Sequence, residues 1–269
     1  MAMAVDQTLL DAFVAGEKKP VFRLYGWSEP TISLGRFQPT EVGLNLAKVK
    51  EYQIPLVRRI TGGGAIYHDD EITYSMICTQ QDLDGLAVKD AYRKLCGFLL
   101  RFYRGLGLSA CFAGDAAMQD GDAAVSLIGQ KTVHCFAGQE KYDVVVNSRN
   151  RWKKLGGNAQ RRMGQVVFQH GSIPLTLQRE DQSRFFAPSI MPEPERVTAL
   201  FETGENAQLS EQTFSRAELA NQIKRHFADE MQLDWVEEPL TTQEFDQAAN
   251  LAETKYRNDE WNLYGRSES

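Results

Sequence analysis

The sequence predicts an α+β fold, a mixed and largely antiparallel sheet with helices packed on it. Three observations predict it. Short β-prone runs separated by turn residues fill most of the first two-thirds of the chain. One long amphipathic helix, over 87–106, interrupts them. After Gln178 the pattern changes to a proline-marked linker and then to helices.

Residues 3–15 carry apolar groups at helical spacing, and GlyGluLysLysPro ends that helix. Residues 21–26 alternate as a strand, TrpSerGluPro turns, and 31–36 form a second strand. Residues 45–52 make a short helix before Pro55. Residues 56–60 and 65–67 are strands on either side of a glycine turn, and 72–79 is a further strand. Within 87–106, Val88, Tyr92, Leu95, Leu99, Phe102 and Leu106 recur every three or four residues, so one face is core. Cys96 falls in that pattern, and Cys78 and Cys111 in apolar strand-like runs. All three read as small buried hydrophobes. Residues 113–123 are small and acidic, a loop. Residues 126–128 and 133–136 are short strands, 142–146 a β-branched strand, 148–154 a polar turn, and 165–177 a long strand. Beyond the linker, 194–203, 215–229 and 242–253 are helices, with a strand near 233–236. The expected division is a catalytic core over 1–180 and a mostly helical extension over 181–269 packed on it.

With 269 residues, 42% hydrophobic and 25% charged, the composition is that of an ordinary globular protein of one large domain, with or without a small appendage. A net charge of −6 and a pI near 5.4 argue against a general nucleic-acid or anionic-membrane binder. The four cysteines lack CxxC or Cys/His ligand spacing, so neither a disulfide framework nor a metal site is indicated. No signal peptide opens the chain, and no apolar run reaches the ~18 residues of a membrane span. The expectation is a reduced, cytoplasmic protein.

The stretch Val57–Met76, VRRITGGGAIYHDDEITYSM, is the focus of the chain. Gly62, Gly63 and Gly64 let the backbone turn sharply and let a ligand lie flat on it. Their N–H groups suit a carbonyl or phosphate oxygen, and Arg58 and Arg59 add donors for carboxylate or phosphate. The triplet also suits a plain flexible hairpin tip. It is neither a Walker loop nor a dinucleotide fingerprint, because no Lys-Ser/Thr follows and the glycine spacing differs.

ArgArgIleThrGlyGlyGlyAlaIleTyrHisAsp, then LysLysLeuGlyGlyAsnAlaGlnArgArg, then GlnHisGlySerIle, resembles the lipoate/octanoate members of the biotin–lipoate protein ligase superfamily. The match is most similar to its cysteine-using octanoyltransferase branch. The resemblance implies the fold of the class II aminoacyl-tRNA synthetase and biotin ligase catalytic core. It also implies transfer of a carboxylic acyl chain to a lysine on a small carrier domain. The stretch HisCysPheAlaGlyGlnGluLysTyrAspValValVal resembles the transferase pattern and maps the nucleophile onto Cys135. The family's partner lysine, in its Lys-x-x-Gly-(Ser/Asn)-Ala-Gln motif, maps onto Lys154.

Acyl transfer from a thioester to an amine can pass through a second thioester with little loss of group potential, which suits cysteine. A thiol of pKa ~8.5 is only a few per cent thiolate at neutral pH. An ammonium beside it must lower that value by about one to two, worth roughly 1.4–2.7 kcal/mol. Lys154 supplies the charge if the 142–146 strand and its turn fold back as a hairpin. His134 would point to the opposite face of a strand. In the same reading, backbone N–H groups near Gly157, Asn158 and Ala159, with those of Gly62–Gly64, hold the thioester oxygen. His68 and His170 line the site, and the AsnAspGluTrpAsn near the end is a packing anchor.

The expected donor is octanoyl-acyl carrier protein. The expected acceptor is a lipoyl domain of a dehydrogenase E2 subunit or a glycine cleavage H protein, and the enzyme is a monomer without cofactor. Three alternatives stay open: an ATP- and Mg-dependent lipoate ligase, a lipoyl-domain amidotransferase, and a non-catalytic binder of acyl carriers.

Overall fold

The alternating runs of the first two-thirds become three small sheets. This computed structural model describes residues 1–120, 141–188, 191, 195–204, 206 and 208–266. The strands are β1 (Val21–Tyr25), β2 (Thr31–Leu34), β3 (Leu56–Arg58), β4 (Ile66–His68), β5 (Glu71–Thr79), β6 (Ala110–Phe112), β7 (Val144–Ser148), β8 (Arg151–Leu155), β9 (Gly157–Met163), β10 (Val166–Pro174) and β11 (Val197–Thr198). The helices are α1 (Ala2–Val14), α2 (Leu46–Glu51), α3 (Val88–Gly105), α4 (Ala113–Asp120), α5 (Arg179–Phe185), α6 (Arg216–Met231), α7 (Thr242–Leu251) and α8 (Asp259–Tyr264).

The principal sheet runs β1-β5-β10-β9 and is antiparallel throughout. A second runs β11-β8-β7-β6, and a third β3-β2-β4; each has one parallel pair, β11 with β8 and β2 with β3. This is the mixed, largely antiparallel α+β architecture that the sequence predicts.

β5 is buried along almost its whole length because both faces are covered. Its even positions, Ile72, Tyr74, Met76 and Cys78, join the core under α3 and α6. There Phe22 stacks on Phe227 at 3.8 Å between ring centroids, and Phe98 meets both rings edge-on. On the opposite face, Ile77 and Phe168 pack with Met3, Val5 and Leu9 of α1 and Ala248 of α7. α8 closes the same cluster with Trp261, so the expected packing anchor is in place.

Several elements differ from the sequence reading. Residues 113–120 are helical rather than a loop, since an alanine-rich run favours helix and buries Ala113 and Ala116 against Cys111 and Val145. The polar turn over 148–154 shrinks to Arg149 and Asn150, both at positive φ. They make a two-residue hairpin connection, and Arg151–Leu155 returns as β8 against β7. Gly157–Met163 forms an unexpected edge strand, and Arg179–Phe185 and Asp259–Tyr264 unexpected helices. Part of 194–203 is the short strand β11 and a 3-10 turn, drawn into place by the edge of β8. Residues 233–236 pair with no strand among the described residues and stay exposed. The strands expected at 126–128 and 133–136 lie outside the described residues.

Candidate active site

Strand register builds one polar face. Tyr25 on β1 pairs with Thr73 on β5, Thr73 with Ser172 on β10, and Ser172 with Gly157 on β9. One step along, Arg23 pairs with Ser75, Ser75 with His170, and His170 with Ala159. Side chains alternate along a strand, so these residues share the face opposite α3. Tyr25, Thr73, Ser172, Gly157, His170 and Ala159 of this face border a small cavity of ≈ 10 Å³, which Met3, Trp27, Arg59 and His68 complete.

His68, His170, Gly157, Asn158 and Ala159 therefore meet at one cavity. His68 Nδ1 bonds Glu71 Oε1 at 2.9 Å and its Nε2 bonds Ser33 Oγ at 2.6 Å. Trp27 stacks on the His68 ring at 4.1 Å and donates its Nε1 hydrogen to Thr73 Oγ1 at 2.9 Å. Glu71 collects these contacts. Burial alone would raise its carboxyl, but the charge and hydrogen bond of His68, with donations from Thr73 and Ser172, hold it below the usual carboxylate range. His170 Nε2 bonds Thr61 Oγ1 at 2.6 Å. Burial, then the charges of Arg59 and His68, holds the His170 imidazole well below its ordinary value, so it is neutral at pH 7.

The two arginines before the glycine turn part company. Arg59 reaches the cavity wall and ties the turn by donating to the carbonyls of Gly62 and Gly64 at 3.2 and 2.9 Å. Gly63 sits at φ +99°, and a Cβ on Gly35 would lie 1.9 Å from the Gly63 oxygen, so the turn lies flat on Gly35. Arg58 points elsewhere. Its guanidinium donates to the carbonyls of Gly35, Gln38, Trp261 and Leu263 and to Thr40 Oγ1, within a buried junction with α8. Arg58 does not line the cavity; its donors go to backbone oxygens and the Thr40 hydroxyl.

Lys154 lies on the return strand of the β7–β8 hairpin, as the sequence reading requires. Its Nζ pairs with Asp143 Oδ2 at 2.7 Å, and both side chains are about 4% exposed. Gly156, at φ +85° and with room for a Cβ denied by Ser172 O at 2.2 Å, turns the chain sharply from β8 into β9. Lys154 thus stands three residues from the cavity-lining Gly157–Ala159 run. β9 is the edge of its sheet, so alternate backbone N–H groups face away from β10. Behind it, Tyr74 donates to Asn158 Oδ1 at 2.5 Å, and Gln169 Nε2 bonds Cys96 Sγ at 3.4 Å.

Cys135 and His134 lie outside the described residues. The three described cysteines are buried. Burial, then Asp82, pushes the Cys78 thiol up to about 12, and burial raises Cys96 further. Neither is a nucleophile at neutral pH. Sequence reasoning missed Trp27, Glu71 and Asp143 as parts of the site. Asp143 was visible as the acid of the Tyr-acid-aliphatic pattern; Trp27 and Glu71 gave no signal beyond their strand neighbours.

Residues 1–228 match the model of the lipoyl protein ligase A/B catalytic domain family. Octanoyltransferase LipM of Bacillus subtilis (strain 168) is 35% identical over 268 residues, covering 97% of this chain and 92% of that protein. Octanoyltransferase LipM of Geobacillus kaustophilus (strain HTA426) is 35% identical over 266 residues, with 97% and 92% covered. Among solved structures, a bi-partite lipoate protein ligase from Thermoplasma acidophilum, solved in a study that includes its E2 lipoyl domain, aligns with a TM-score of 0.74 at 22% identity, covering 100% of this chain and 92% of that one. Lipoate-protein ligase A bound with ATP aligns at 0.74 and 24% identity, covering 97% and 92%. At that identity the two structures establish the shared fold.

Proposed function

The chain belongs to the lipoyl protein ligase A/B catalytic domain family, and from that premise we propose that it transfers octanoyl from octanoyl-acyl carrier protein to a lysine of a lipoyl domain, through a thioester on Cys135. It is an acyltransferase of lipoate biosynthesis. The near full-length similarity to octanoyltransferases carries the octanoyl reading. The buried Lys154–Asp143 pair supports the thioester route, because it holds an ammonium on the strand that leads into the cavity.

In the first step the Cys135 sulfur attacks the octanoyl carbonyl. A new carbon–sulfur bond forms and the bond to the carrier sulfur breaks. The carrier leaves as a thiol, taking the proton that Cys135 gave up, and Lys154 Nζ passes it. In the second step the acceptor amine attacks the same carbonyl. The amide forms, the bond to Cys135 breaks, and the amine proton returns to the thiolate. Outward-facing N–H groups of the Gly157–Ala159 edge hold the carbonyl oxygen as charge develops on it. No ATP is consumed, because the donor thioester is already activated. The acceptor is the lipoyl domain of a dehydrogenase E2 subunit or a glycine cleavage H protein, and the enzyme works as a monomer, with residues 1–180 as its catalytic core.

Intact-mass spectrometry tests this. Incubation with octanoyl-acyl carrier protein is expected to add one octanoyl group to the wild-type chain and none to Cys135→Ser. A Cys135→Ser protein that still acylates a lipoyl domain at the wild-type rate removes the thioester. Pyrophosphate release from ATP and lipoate, unchanged by that substitution, replaces it with the ligase.

A further inference from the structure

We propose that Arg36, Arg161 and Lys255 form a phosphate-binding site at the rim of the glycine turn, occupied by the phosphodiester in the prosthetic arm of the acyl-thioester donor. This rests on the thioester-donor reading above and names where that donor's charge is held.

Three cations gather there, and among the described residues Asp11 is the one acid whose charge acts on Lys255. Lys255 Nζ lies 3.8 Å from the centroid of the Trp261 ring and Arg36 Cζ lies 4.5 Å from it. Arg161 reaches in from the edge strand β9 and donates to the Ile60 carbonyl at 3.3 Å. The backbone N–H of Arg36 donates to the next carbonyl, Thr61, at 2.7 Å. Both arginines thus hang from the two residues that lead into Gly62–Gly64. Among the described residues, none of the three has a carboxylate within 4.0 Å. Lys255 donates to the neutral Gln7 Oε1 at 2.9 Å, and Arg36 to the Gly265 carbonyl at 2.8 Å.

The grouping is electrostatically uncomfortable in the free protein. Burial, against the pull of Asp11 and with the push of Arg36 and Arg161, lowers Lys255 to about 8. An anion placed among the three relieves that repulsion and gains charge-assisted hydrogen bonds. The position suits the donor. Gln7 and the cavity-lining Met3 are one turn apart on α1, about 6 Å along its axis. A carrier arm binds its phosphate at its protein end and its thioester at the far end. The arm is longer than that offset, so a phosphate held at this rim leaves it slack to bend over the glycine turn into the cavity. Arg161 is exposed, so the site is open to solvent.

Two small donors test the site, octanoyl-4′-phosphopantetheine and octanoyl-pantetheine, with a lipoyl domain as acceptor. Wild type is expected to show a KM about tenfold or more lower for the phosphorylated donor, the worth of one charge-assisted contact. Arg161→Gln, Arg36→Gln and Lys255→Met are each expected to bring that ratio toward one. Arg161→Gln alters an exposed edge position and keeps the fold should Lys255→Met fail to fold. A wild-type ratio near one, or a ratio that the substitutions leave alone, overturns the proposal. So does a variant that slows only the full carrier protein, since that assigns the cations to an acidic carrier surface. Inorganic phosphate, titrated by calorimetry, separates this site from the overall reading. Saturable binding weakened by Arg161→Gln supports the site even in a protein that transfers octanoyl from neither donor, whereas the latter result counts against the transferase.

Discussion

The Trp261 indole donates to the Arg58 carbonyl at 2.8 Å, and the Arg58 guanidinium donates back to the Trp261 carbonyl at 3.1 Å. This reciprocal pair fastens α8 to β3, and Asn262 reinforces it by accepting the Arg58 backbone N–H at 2.9 Å. Two segments 203 residues apart in the chain share one buried junction. Its guanidinium faces carbonyls and a hydroxyl, and that explains why Arg58 stays away from the cavity.

Arg58→Met strips donors from several buried carbonyls at once. An unsatisfied buried polar group costs about 1–3 kcal/mol. The substitution is expected to lower unfolding free energy by at least ~3 kcal/mol, and Trp261→Phe by about 1–2 kcal/mol. Urea midpoints measure both. Should Arg58→Met instead leave the midpoint unchanged and raise the KM for donor, Arg58 returns to the substrate-binding set.

The Asp143–Lys154 pair behaves differently because each partner is useless alone. Breaking a buried pair by removing one side costs about 3–5 kcal/mol, whereas replacing both with apolar groups is often close to neutral. Asp143→Asn is thus expected to destabilise strongly and to abolish transfer. Asp143→Leu with Lys154→Met is expected to recover most of the stability and none of the activity. Full transfer by that double variant would reduce the pair to a structural role.

Much of this was legible in the sequence for a physical reason. Period-two strands and the 3.6-residue stripe of α3 register burial directly, so β1, β2, β5 and β10 and the long helix stand where the pattern puts them. The fold-back that returns Lys154 was legible in the 142–146 strand and its turn, but the pairing of Lys154 with Asp143, the residue just before β7, was not. What failed to show was tertiary. The edge strand β9 is Gly157–Met163, a polar run with little alternation, and only the ladder to β10 makes it a strand. Arg58 and Arg59 are adjacent and chemically identical; alternation along β3 and the arrival of α8 from 200 residues away decide which one faces the site. The contacts of the Trp27 indole with Glu71 and Thr73 are made in the tertiary structure, which a single sequence does not encode locally.

His170 gives the fold a pH signature. Its folded value lies well below the ordinary 6.5, because of burial and then Arg59 and His68. Above pH 6.5 neither native nor unfolded chain holds that proton, so stability is flat with respect to this group. Below 6.5 the unfolded chain binds a proton that the native imidazole refuses, and stability falls as pH drops toward the folded value. The slope approaches about 1.4 kcal/mol per pH unit. Glu71 loses its contribution only below the ordinary carboxylate value of 4.5, outside this window. His226, also lowered, adds the same sign but is common to both proteins compared. Urea midpoints between about pH 5 and 7.5 are therefore expected to fall more steeply on acidification in wild type than in His170→Gln. Parallel curves for the two would mean that His170 takes up its proton in the native state, and that the cavity beside Thr61 admits a charged imidazole.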